Sequence, residues 1–481
     1  MNPDLILKIL KQKFPHQLTT DQEGLFVEFT RFLNLDSPHK LFVLKGYAGT
    51  GKTSFVQSIV ATLPGLKKRT MLLAPTGRAA KVLSAYAHKK AFTIHKKIYF
   101  TAMDKSGYMS MKLKENLYID TLFIVDEASM ISAYSSSENT HFNGSHDLLS
   151  DLIEYVYSGN NCHLMLIGDV AQLPPIGIHI SPALDLKGLQ SLYHFDVFDY
   201  ELQEVVRQAA ESGILYNATQ IRNMVSNGKV VKPLFHCEPY PDIQNIGGLE
   251  FQEILSDTYS EYGEDNIVVI TRSNKRANIY NREIRNRILY KESRLEAGDL
   301  LMVVRNNYFW LEDTSQAGFI ANGDIVEIVQ VKKYSDLYGF EFAEVEVQMI
   351  DYPDEPSFDT TLLLDTITSE SPSLNFEENK RLFQEVMKDY NDIGNKKARI
   401  QAVKNNSYFN ALQVKFANAM TCHKTQGGQW DVVFLEQPWL PDDELDIEFG
   451  RWIYTAVTRA TKKLYLVNFK EDFFVEDIDT Y

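Results

Sequence analysis

Cysteine is scarce in this chain, with three in 481 residues: Cys162, Cys237 and Cys422. Cysteines so few and so scattered indicate neither a disulfide framework nor a zinc site. No apolar run approaches the roughly 18 residues of a membrane-spanning helix. The first residues also lack the basic, apolar and small-residue order of a secretion signal. These absences predict a cytoplasmic protein with no membrane partner.

Basic residues are outnumbered, because 49 Lys and Arg stand against 64 Asp and Glu, for a net charge of −15. Proteins that bind nucleic acid often carry a basic face, so this balance weighs mildly against such a partner. It does not exclude one, since a basic channel can be local on an acidic surface. At this length the chain is also too long for a single hydrophobic core, so several domains are expected.

A glycine-rich segment, GYAGTGKT at residues 46–53, directly follows the apolar run LFVLK. A strand that leads through a glycine-rich turn into a helix is typical of a phosphate-binding loop. Lys52 can reach the β- and γ-phosphates, and the Thr53 hydroxyl can ligate Mg²⁺. The helix predicted from Thr53 to Leu63 would direct its positive dipole end at the same anion. We therefore predict a nucleoside triphosphate site, with ATP and Mg²⁺ as cofactors.

Small residues in this loop leave its backbone accessible to a ligand. Glycine has no Cβ, so backbone N–H groups can close around phosphate oxygens. The loop positions predicted to bind the nucleotide, besides Lys52 and Thr53, are Gly46, Ala48, Gly49, Thr50, Gly51 and Ser54.

Near-continuous apolar runs recur through the first part of the chain and predict strands buried on both faces of a parallel sheet. They lie at 41–44, 70–74, 121–127 and 163–169. Asp126 and Glu127 end the third run, where one carboxylate can hold Mg²⁺ and its neighbour can deprotonate the attacking water. We assign the metal role to Asp126 and the base role to Glu127, against the alternative of a solvated turn. Gln172, after the fourth run, is suited to contact the γ-phosphate or its water.

The rest of the chain predicts a hairpin, a second sheet and an insertion. Strand patterns flank a turn at Asp104–Gly107, which predicts a β-hairpin projecting from the first domain at about 98–118. A second parallel sheet is expected from the runs at 266–272, 431–436 and 463–469. The insertion, about 291–415, first shows strand patterns typical of a small β-barrel and then a helical part. The helical face is predicted to carry Phe376, Leu382, Phe383, Val386, Met387 and Tyr390, with Asn375 and Glu378 as a cap pair.

Eight motifs occur in an order that resembles superfamily 1 helicases, in the RecD-like and Dda-like branch. They are GYAGTGKT, APTGRAA (74–80), FTIH (92–95), VDEAS (125–129), GDVAQLPP (168–175), VVRQ (205–208), TCHKTQG (421–427) and YTAVTRA (454–460). The resemblance implies an α/β fold with two RecA-like parallel-sheet motor domains. The first would span 1–200 and carry the hairpin as a pin. The second, 201–290 with 416–481, would carry an SH3-like barrel and helical extension at 291–415.

The resemblance also implies roles for individual residues. Gln22 would recognise the adenine edge, and Gln426 and Gly427 would lie near the nucleotide. Arg207 and Arg459 would reach the γ-phosphate from the second motor domain and stabilise its transferred charge. Nucleic-acid contacts are implied for Thr76, Gly77, Arg78, Thr93, His95, Thr271, Arg272, Asn274, Thr421, His423 and Lys424. Tyr108, with Met109, would form the tip of the pin, against the alternative of a plain surface hairpin.

The function implied by this resemblance is an ATP-dependent DNA helicase. It would act as a monomer, translocate 5′-to-3′ on single-stranded DNA and open duplex at single-strand/double-strand junctions. The polarity comes from the resemblance alone, and the residues identify no protein partner. One alternative is an RNA-directed or nucleoprotein-remodelling motor of the same superfamily, because backbone contacts do not separate DNA from RNA. Another is a kinase or nucleotide-dependent switch, which would leave the motifs around Gln172, His423 and Arg459 without a role.

Overall fold

The computed structural model describes residues 3–103, 109–132, 147–205, 211–228, 232–312, 315, 317–439 and 445–475. At 101–103 and 109–111 it describes the backbone alone. None of the helices in this part of the chain has the length and apolarity needed to cross a bilayer.

The first sheet has six parallel strands in the order β3-β2-β6-β7-β1-β8. These strands are β1 (Lys40–Gly46), β2 (Arg69–Ala74), β3 (Ala91–Thr93), β6 (Thr121–Val125), β7 (His163–Gly168) and β8 (Asp196–Leu202). Strands β1, β6 and β7 are buried along nearly their whole length, as their continuous apolar sequence predicts. The helices before and between these strands are α1 (Pro3–Gln12), α2 (Thr20–Asn34), α3 (Lys52–Thr62), α4 (Gly77–Ala87), α5 (Ile94–Ile98), α6 (Leu148–Tyr157) and α7 (Leu186–Tyr193).

The predicted hairpin is present between α5 and β6. Strands β4 (Tyr99–Met103) and β5 (Met109–Leu113) pair antiparallel, with Met103 opposite Met109. The turn at Asp104–Gly107 and the predicted tip residue Tyr108 lie outside the described residues. The backbone thus has the shape expected of a pin, and the use of Tyr108 stays a prediction.

The second sheet has five parallel strands in the order β16-β10-β17-β18-β9. They are β9 (Ile243–Ile246), β10 (Ile267–Thr271), β16 (Ala419–Thr421), β17 (Trp430–Glu436) and β18 (Ala460–Val467). The associated helices are α8 (Gly213–Ser226), α9 (Gly248–Tyr262), α10 (Asn274–Arg287), α14 (Cys422–Thr425) and α15 (Ile447–Val457). Two open, all-parallel sheets confirm the predicted pair of RecA-like domains, which we call the first and second RecA-like domains.

A closed five-stranded barrel interrupts the second RecA-like domain between α10 and β16, as the sequence predicts. Its strands are β11 (Leu300–Val303), β12 (Ile325–Leu337), β13 (Phe340–Met349), β14 (Phe358–Leu363) and β15 (Leu412–Phe416). Neighbouring strands pair antiparallel except β14 and β15, which are parallel. A buried ion pair ties the barrel to α10, because Arg285 donates two hydrogen bonds, of 2.9 and 3.0 Å, to the Asp299 carboxylate.

The helical part of the insertion lies between β14 and β15. It consists of α11 (Asp365–Thr368), α12 (Phe376–Lys388) and α13 (Lys396–Lys404). Asn375 and Glu378 form the predicted capping box at the start of α12. Leu382 and Val386 are buried against the barrel residue Phe342. One residue of the predicted face departs from it: Phe376 is 58% exposed, since the first helical turn extends past the surface that covers the rest of α12.

Candidate nucleotide cleft and nucleic-acid surface

The phosphate-binding loop joins β1 to α3 at the carboxyl edge of the first sheet. Gly49 and Gly51 have φ of +74° and +93°, a left-handed conformation that glycine adopts without strain. Gly51 also has no room for a side chain, because a Cβ there would lie 2.4 Å from the Gln22 amide nitrogen. The Lys52 ammonium donates to the carbonyls of Gly46 and Tyr47, at 2.8 Å each, and so remains within the loop. Thr53 is exposed at the first turn of α3.

The carboxylates assigned to metal binding and to base catalysis directly follow β6. One oxygen of Asp126 accepts from the Glu127 N–H at 2.9 Å, and the other accepts from the Tyr86 hydroxyl. Glu127 has a left-handed backbone, with φ of +53°. Burial raises the pKa of the Glu127 carboxyl, and the positive charges of Arg459 and Lys52 oppose that increase. Glu127 therefore lies in the field of cations from both RecA-like domains.

Gln172 is buried in the segment that follows β7. Its amide oxygen has no hydrogen-bond partner among the described residues. An unpaired buried acceptor is costly unless a ligand or water satisfies it. The structure thus places at Gln172 a free acceptor of the kind that its predicted contact with the attacking water requires.

The predicted residues of the second RecA-like domain lie against this cleft. Arg459 is buried and its guanidinium donates to the carbonyls of Thr455 and Gly428, at 3.0 Å each. Gln426 donates from its amide to the Leu173 carbonyl at 2.6 Å, across the boundary between the domains. Gly427 has φ of +73°, and a Cβ there would lie 3.0 Å from the Ala79 side chain. Arg459 and Gln426 are therefore held in place by backbone contacts.

Gln22 is buried beneath the phosphate-binding loop. Its amide nitrogen donates to the Thr50 carbonyl at 3.0 Å, and its amide oxygen accepts from the Thr19 N–H at 3.1 Å. The second bond is half of the capping box that begins α2. In this arrangement Gln22 supports the loop, and its predicted contact with adenine stays a prediction.

Thr76, Gly77 and Arg78 form the start of α4 at the carboxyl end of β2. The Thr76 hydroxyl caps the helix by accepting from the Ala79 N–H at 3.2 Å. The Arg78 guanidinium stacks on the Trp430 ring at 3.8 Å and donates to the Gln429 carbonyl at 3.2 Å. Arg78 therefore spans the gap between the two RecA-like domains, on the edge predicted to bind nucleic acid.

The barrel covers the same edge of the first RecA-like domain. A Cβ on Gly77 would lie 2.4 Å from an oxygen of Asp324, on the turn before β12. Lys96 donates to the Ser315 carbonyl at 2.9 Å. His95 lies against Phe319 with ring centroids 6.1 Å apart, and burial lowers its pKa to about 4. His95 is thus neutral near pH 7 and packed under the barrel, while Thr93 caps the short helix α5.

The nucleic-acid candidates of the second RecA-like domain lie at the carboxyl ends of β10 and β16. Strands β10 and β16 pair so that Thr271 is opposite Thr421. Arg272 is exposed beside them. Lys424 donates to the Asn322 side chain of the barrel at 2.7 Å, and burial lowers the pKa of Lys424 to about 8. Asn274 donates to the Glu370 carbonyl at 3.0 Å, and burial lowers the pKa of His423.

Arg207, one of the two predicted arginines of the second domain, lies outside the described residues. The predicted site residues that the structure describes fall into two groups. Those for the nucleotide surround the cleft between the RecA-like domains, and those for nucleic acid lie along the edge that the barrel covers.

Comparison with known proteins agrees with this arrangement. The model of an AAA domain matches residues 31–178, and the model of a UvrD-like helicase C-terminal domain matches residues 416–467. The ATP-dependent DNA helicase dda of Enterobacteria phage T4 is 24% identical over 451 residues, which cover 88% of this chain and 93% of that protein. The ATP-dependent RecD2 DNA helicase of Deinococcus radiodurans is 29% identical over 197 residues. These matches make the chain similar to helicases of superfamily 1, in the RecD-like and Dda-like branch.

The extent of these matches differs between the relatives. The match to RecD2 covers 41% of the chain and 24% of RecD2. A protein of Methanocaldococcus jannaschii is 22% identical, over 89% of the chain and 36% of that protein. The chain therefore spans about a quarter and about a third of the length of these two relatives. A crystal structure of Pif1 helicase from Bacteroides aligns over 96% of the chain at 14% identity and a TM-score of 0.44.

Three residues that sequence reasoning did not select complete the site. Asp169, directly after β7, accepts from the hydroxyl of Tyr454 in α15 at 2.6 Å. Both residues belong to recognised motifs, but their contact joins positions 285 residues apart and nothing local indicates it. The third residue is Asp324, which is buried beneath the barrel. Its sequence context, an Asn-Gly-Asp turn, predicts a loop and gives no indication of a buried carboxylate.

Proposed function

We propose that this chain is an ATP-dependent DNA helicase that translocates 5′-to-3′ on single-stranded DNA. One observation carries the proposal: Glu127 lies in a cleft where Lys52 comes from one RecA-like domain and Arg459 from the other. A nucleotide bound there would contact both domains, so hydrolysis would change how they are held together. The names of the relatives dda and RecD2 support DNA as the substrate and ATP as the nucleotide that is hydrolysed.

The residues of the cleft fit a nucleotide with Mg²⁺. Thr53 and Asp126 supply the oxygen ligands that Mg²⁺ prefers, and a nucleotide-bound Mg²⁺ needs only one or two protein ligands. No group of three His, Cys, Asp or Glu side chains forms a metal site within the described ranges, which is compatible with such sparse ligation. Bound Mg²⁺ would offset the charge on the β- and γ-phosphates.

The chain's own residues would perform the remaining steps of hydrolysis. Lys52 would turn from the loop carbonyls toward the phosphates, and Gln172 would hold the attacking water through its free amide oxygen. Glu127, whose pKa is raised by burial, would accept the proton of that water. Arg459 would stabilise the charge that develops on the transferred phosphoryl group, a contribution of roughly 10³-fold or more in related sites.

For nucleic acid, the proposed path runs along the carboxyl edges of both sheets, past Arg78 on one side and Arg272 with Thr421 on the other. These residues offer backbone, hydroxyl and guanidinium donors, which contact phosphates without reading sequence. The hairpin of β4 and β5 projects from the same domain and would separate the duplex. The described geometry supports a single-stranded nucleic acid and its junctions as the partner, and the names of the relatives favour DNA. The ranges 1–200, 201–290 with 416–481, and 291–415 are the working division of the chain.

The proposal is tested by steady-state ATPase with and without single-stranded DNA, in the wild type and in Lys52→Ala. Lys187→Ala, at an exposed lysine of the same domain, is the matched control. We expect many-fold stimulation by DNA, lost only in Lys52→Ala, and unwinding of duplex that carries a 5′ tail but not a 3′ tail. ATP hydrolysis that is not stimulated by DNA would contradict the helicase assignment. Unwinding of the 3′-tailed duplex alone would mean that translocation runs 3′-to-5′.

A further inference from the structure

The segment that carries Gln172 is held by the second RecA-like domain at two points. At its start, Asp169 accepts a hydrogen bond from Tyr454. At Leu173, the N–H donates to the Thr455 hydroxyl at 2.9 Å and the carbonyl accepts from Gln426 at 2.6 Å. Gln172 lies between these two points, so its placement depends on contacts that the other domain supplies.

Tyr454 contributes the contact that also reaches the phosphate-binding loop. Its hydroxyl accepts from the Ala48 N–H at 3.0 Å and donates to Asp169 at 2.6 Å. Its side chain is 1% exposed, so both bonds are shielded from bulk solvent. A single hydroxyl from α15 thus joins the loop, through Ala48, to the segment of Gln172, through Asp169.

The direction of these bonds is fixed by the groups that make them. The Ala48 N–H can only donate, and the second Asp169 oxygen is already occupied by the Ala171 N–H at 2.9 Å. Burial raises the pKa of the Asp169 carboxyl, while the charge of Lys52 and the hydrogen bond from Tyr454 favour its ionised form. Burial also raises the pKa of the Tyr454 hydroxyl and keeps it protonated. The hydroxyl therefore donates toward Asp169 and accepts from the loop, and no other orientation satisfies all three groups.

We propose that Tyr454 is a positioning residue that couples closure of the two RecA-like domains to the placement of Gln172. When the second domain closes, the Tyr454 hydroxyl ties Asp169 to the loop at Ala48 and brings Gln172 into position over the bound phosphate. When the domains separate, that tie is lost and Gln172 is released. This inference rests on the proposed function, because it assigns the device by which DNA-driven closure would switch hydrolysis on.

The test is Tyr454→Phe, which keeps the ring and removes only the hydroxyl. Because Gln172 would be misplaced and not removed, we expect the DNA-stimulated kcat to fall on the order of 10²-fold with little change in the KM for ATP. Tyr465→Phe is the matched control, since Tyr465 is a buried tyrosine on the opposite face of the second sheet that stacks on Phe434. It should retain wild-type kcat and KM.

A second variant separates positioning from a general loss of structure. If Tyr454 acts through Asp169, then Asp169→Asn should lower kcat similarly, and the double variant should be no slower than either single variant. Multiplied losses in the double variant would overturn the inference, as would a Tyr454→Phe protein with wild-type kcat, or one whose KM rises while kcat is unchanged. These results differ from failure of the proposed function, in which the wild type itself would show no stimulation by DNA.

Discussion

The first RecA-like domain makes two contacts that each bury an aspartate, and the two aspartates differ in their hydrogen bonding. At the cleft with the second RecA-like domain, both oxygens of Asp169 accept hydrogen bonds, from Tyr454 and from Ala171. Beneath the barrel, one oxygen of Asp324 accepts from the Ala321 N–H at 2.7 Å and the other has no partner among the described residues. That unpaired oxygen faces Gly77, at the predicted nucleic-acid edge.

The difference indicates which contact is the easier to open. A paired buried carboxylate stabilises the contact that encloses it, whereas an unpaired one favours exposure to water. Burial raises the pKa of Asp324 to about 8, and the nearby negative charge of Asp351 adds to the increase. In the cleft contact the buried carboxylate of Asp169 thus has its hydrogen bonds in the closed form. In the barrel contact the unpaired oxygen of Asp324 is destabilising, and separation of the barrel from α4 would expose that oxygen to water.

The largest expected effect comes from removing the negative charge of Glu127 in the cleft. Glu127→Gln keeps the shape of the side chain but cannot accept a proton, so ATP hydrolysis should fall by roughly 10²- to 10⁴-fold. Binding of a fluorescent ATP analogue should remain close to that of the wild type. Retained hydrolysis would mean that another group is the base, and Glu115→Gln, at a glutamate outside the cleft that follows β5, should change neither quantity.

Asp324→Asn should stabilise the protein in a way that depends on pH. The pKa of Asp324 is about 8 in the folded protein and about 3.8 in an exposed carboxyl, so its burial costs little below pH 4, more as the pH rises, and the full amount above pH 8. An amide has no charge to bury. The melting temperature of the variant should therefore exceed that of the wild type by several degrees at pH 8.5, since one kcal/mol corresponds to about 1 °C for a chain of 481 residues.

That difference should shrink as the pH falls toward 5, which thermal unfolding at several pH values would measure. Asp336→Asn, at an exposed aspartate on the same barrel, should show no difference at any pH. Equal melting temperatures for the wild type and Asp324→Asn at every pH would mean that folding does not bury an ionised Asp324 carboxylate.

An aspartate-to-asparagine substitution in the cleft should destabilise the protein, in contrast to Asp324→Asn. Asp169→Asn replaces an oxygen that accepts a hydrogen bond with an amide group that donates, and one buried donor is left unpaired. We expect a loss of about 1–3 kcal/mol in the free energy of unfolding, measured by denaturant titration. Stabilisation by Asp169→Asn would remove the distinction between the two contacts.

Local sequence determined much of the site and little of the contacts between domains. The loop around Lys52 and the carboxylates after β6 were predicted because each is a short motif next to a continuous apolar strand. Strand β8 was missed because, as an edge strand, it is only half-buried and has no such run. Strand β15 was missed because a helical segment separates it from the other barrel strands.

Contacts between distant residues could not be predicted for a related reason. Tyr454 meets Asp169 only after both sheets have formed and closed, and no periodicity in either segment encodes that approach. Phe376 shows the converse error: its position on the helix matches the apolar face, but its side chain is 58% exposed at the first turn. Helical spacing indicates which residues share a face and leaves open how far along the helix that face is covered.

The smallest expected effect tests the barrel contact from its other side. Gly77→Ala would place a methyl group 2.4 Å from the unpaired Asp324 oxygen, too close for two atoms that do not bond. The Asp324 side chain, and with it the turn of the barrel that carries it, must then shift away from α4. We expect about 1 kcal/mol of destabilisation and a longer distance between fluorophores on the barrel and on the first RecA-like domain. Adding Asp324→Ala should restore the stability, because the obstructing oxygen is then gone. Full additivity of the two substitutions would mean that Gly77 and Asp324 do not touch, and the barrel would then lie away from this edge.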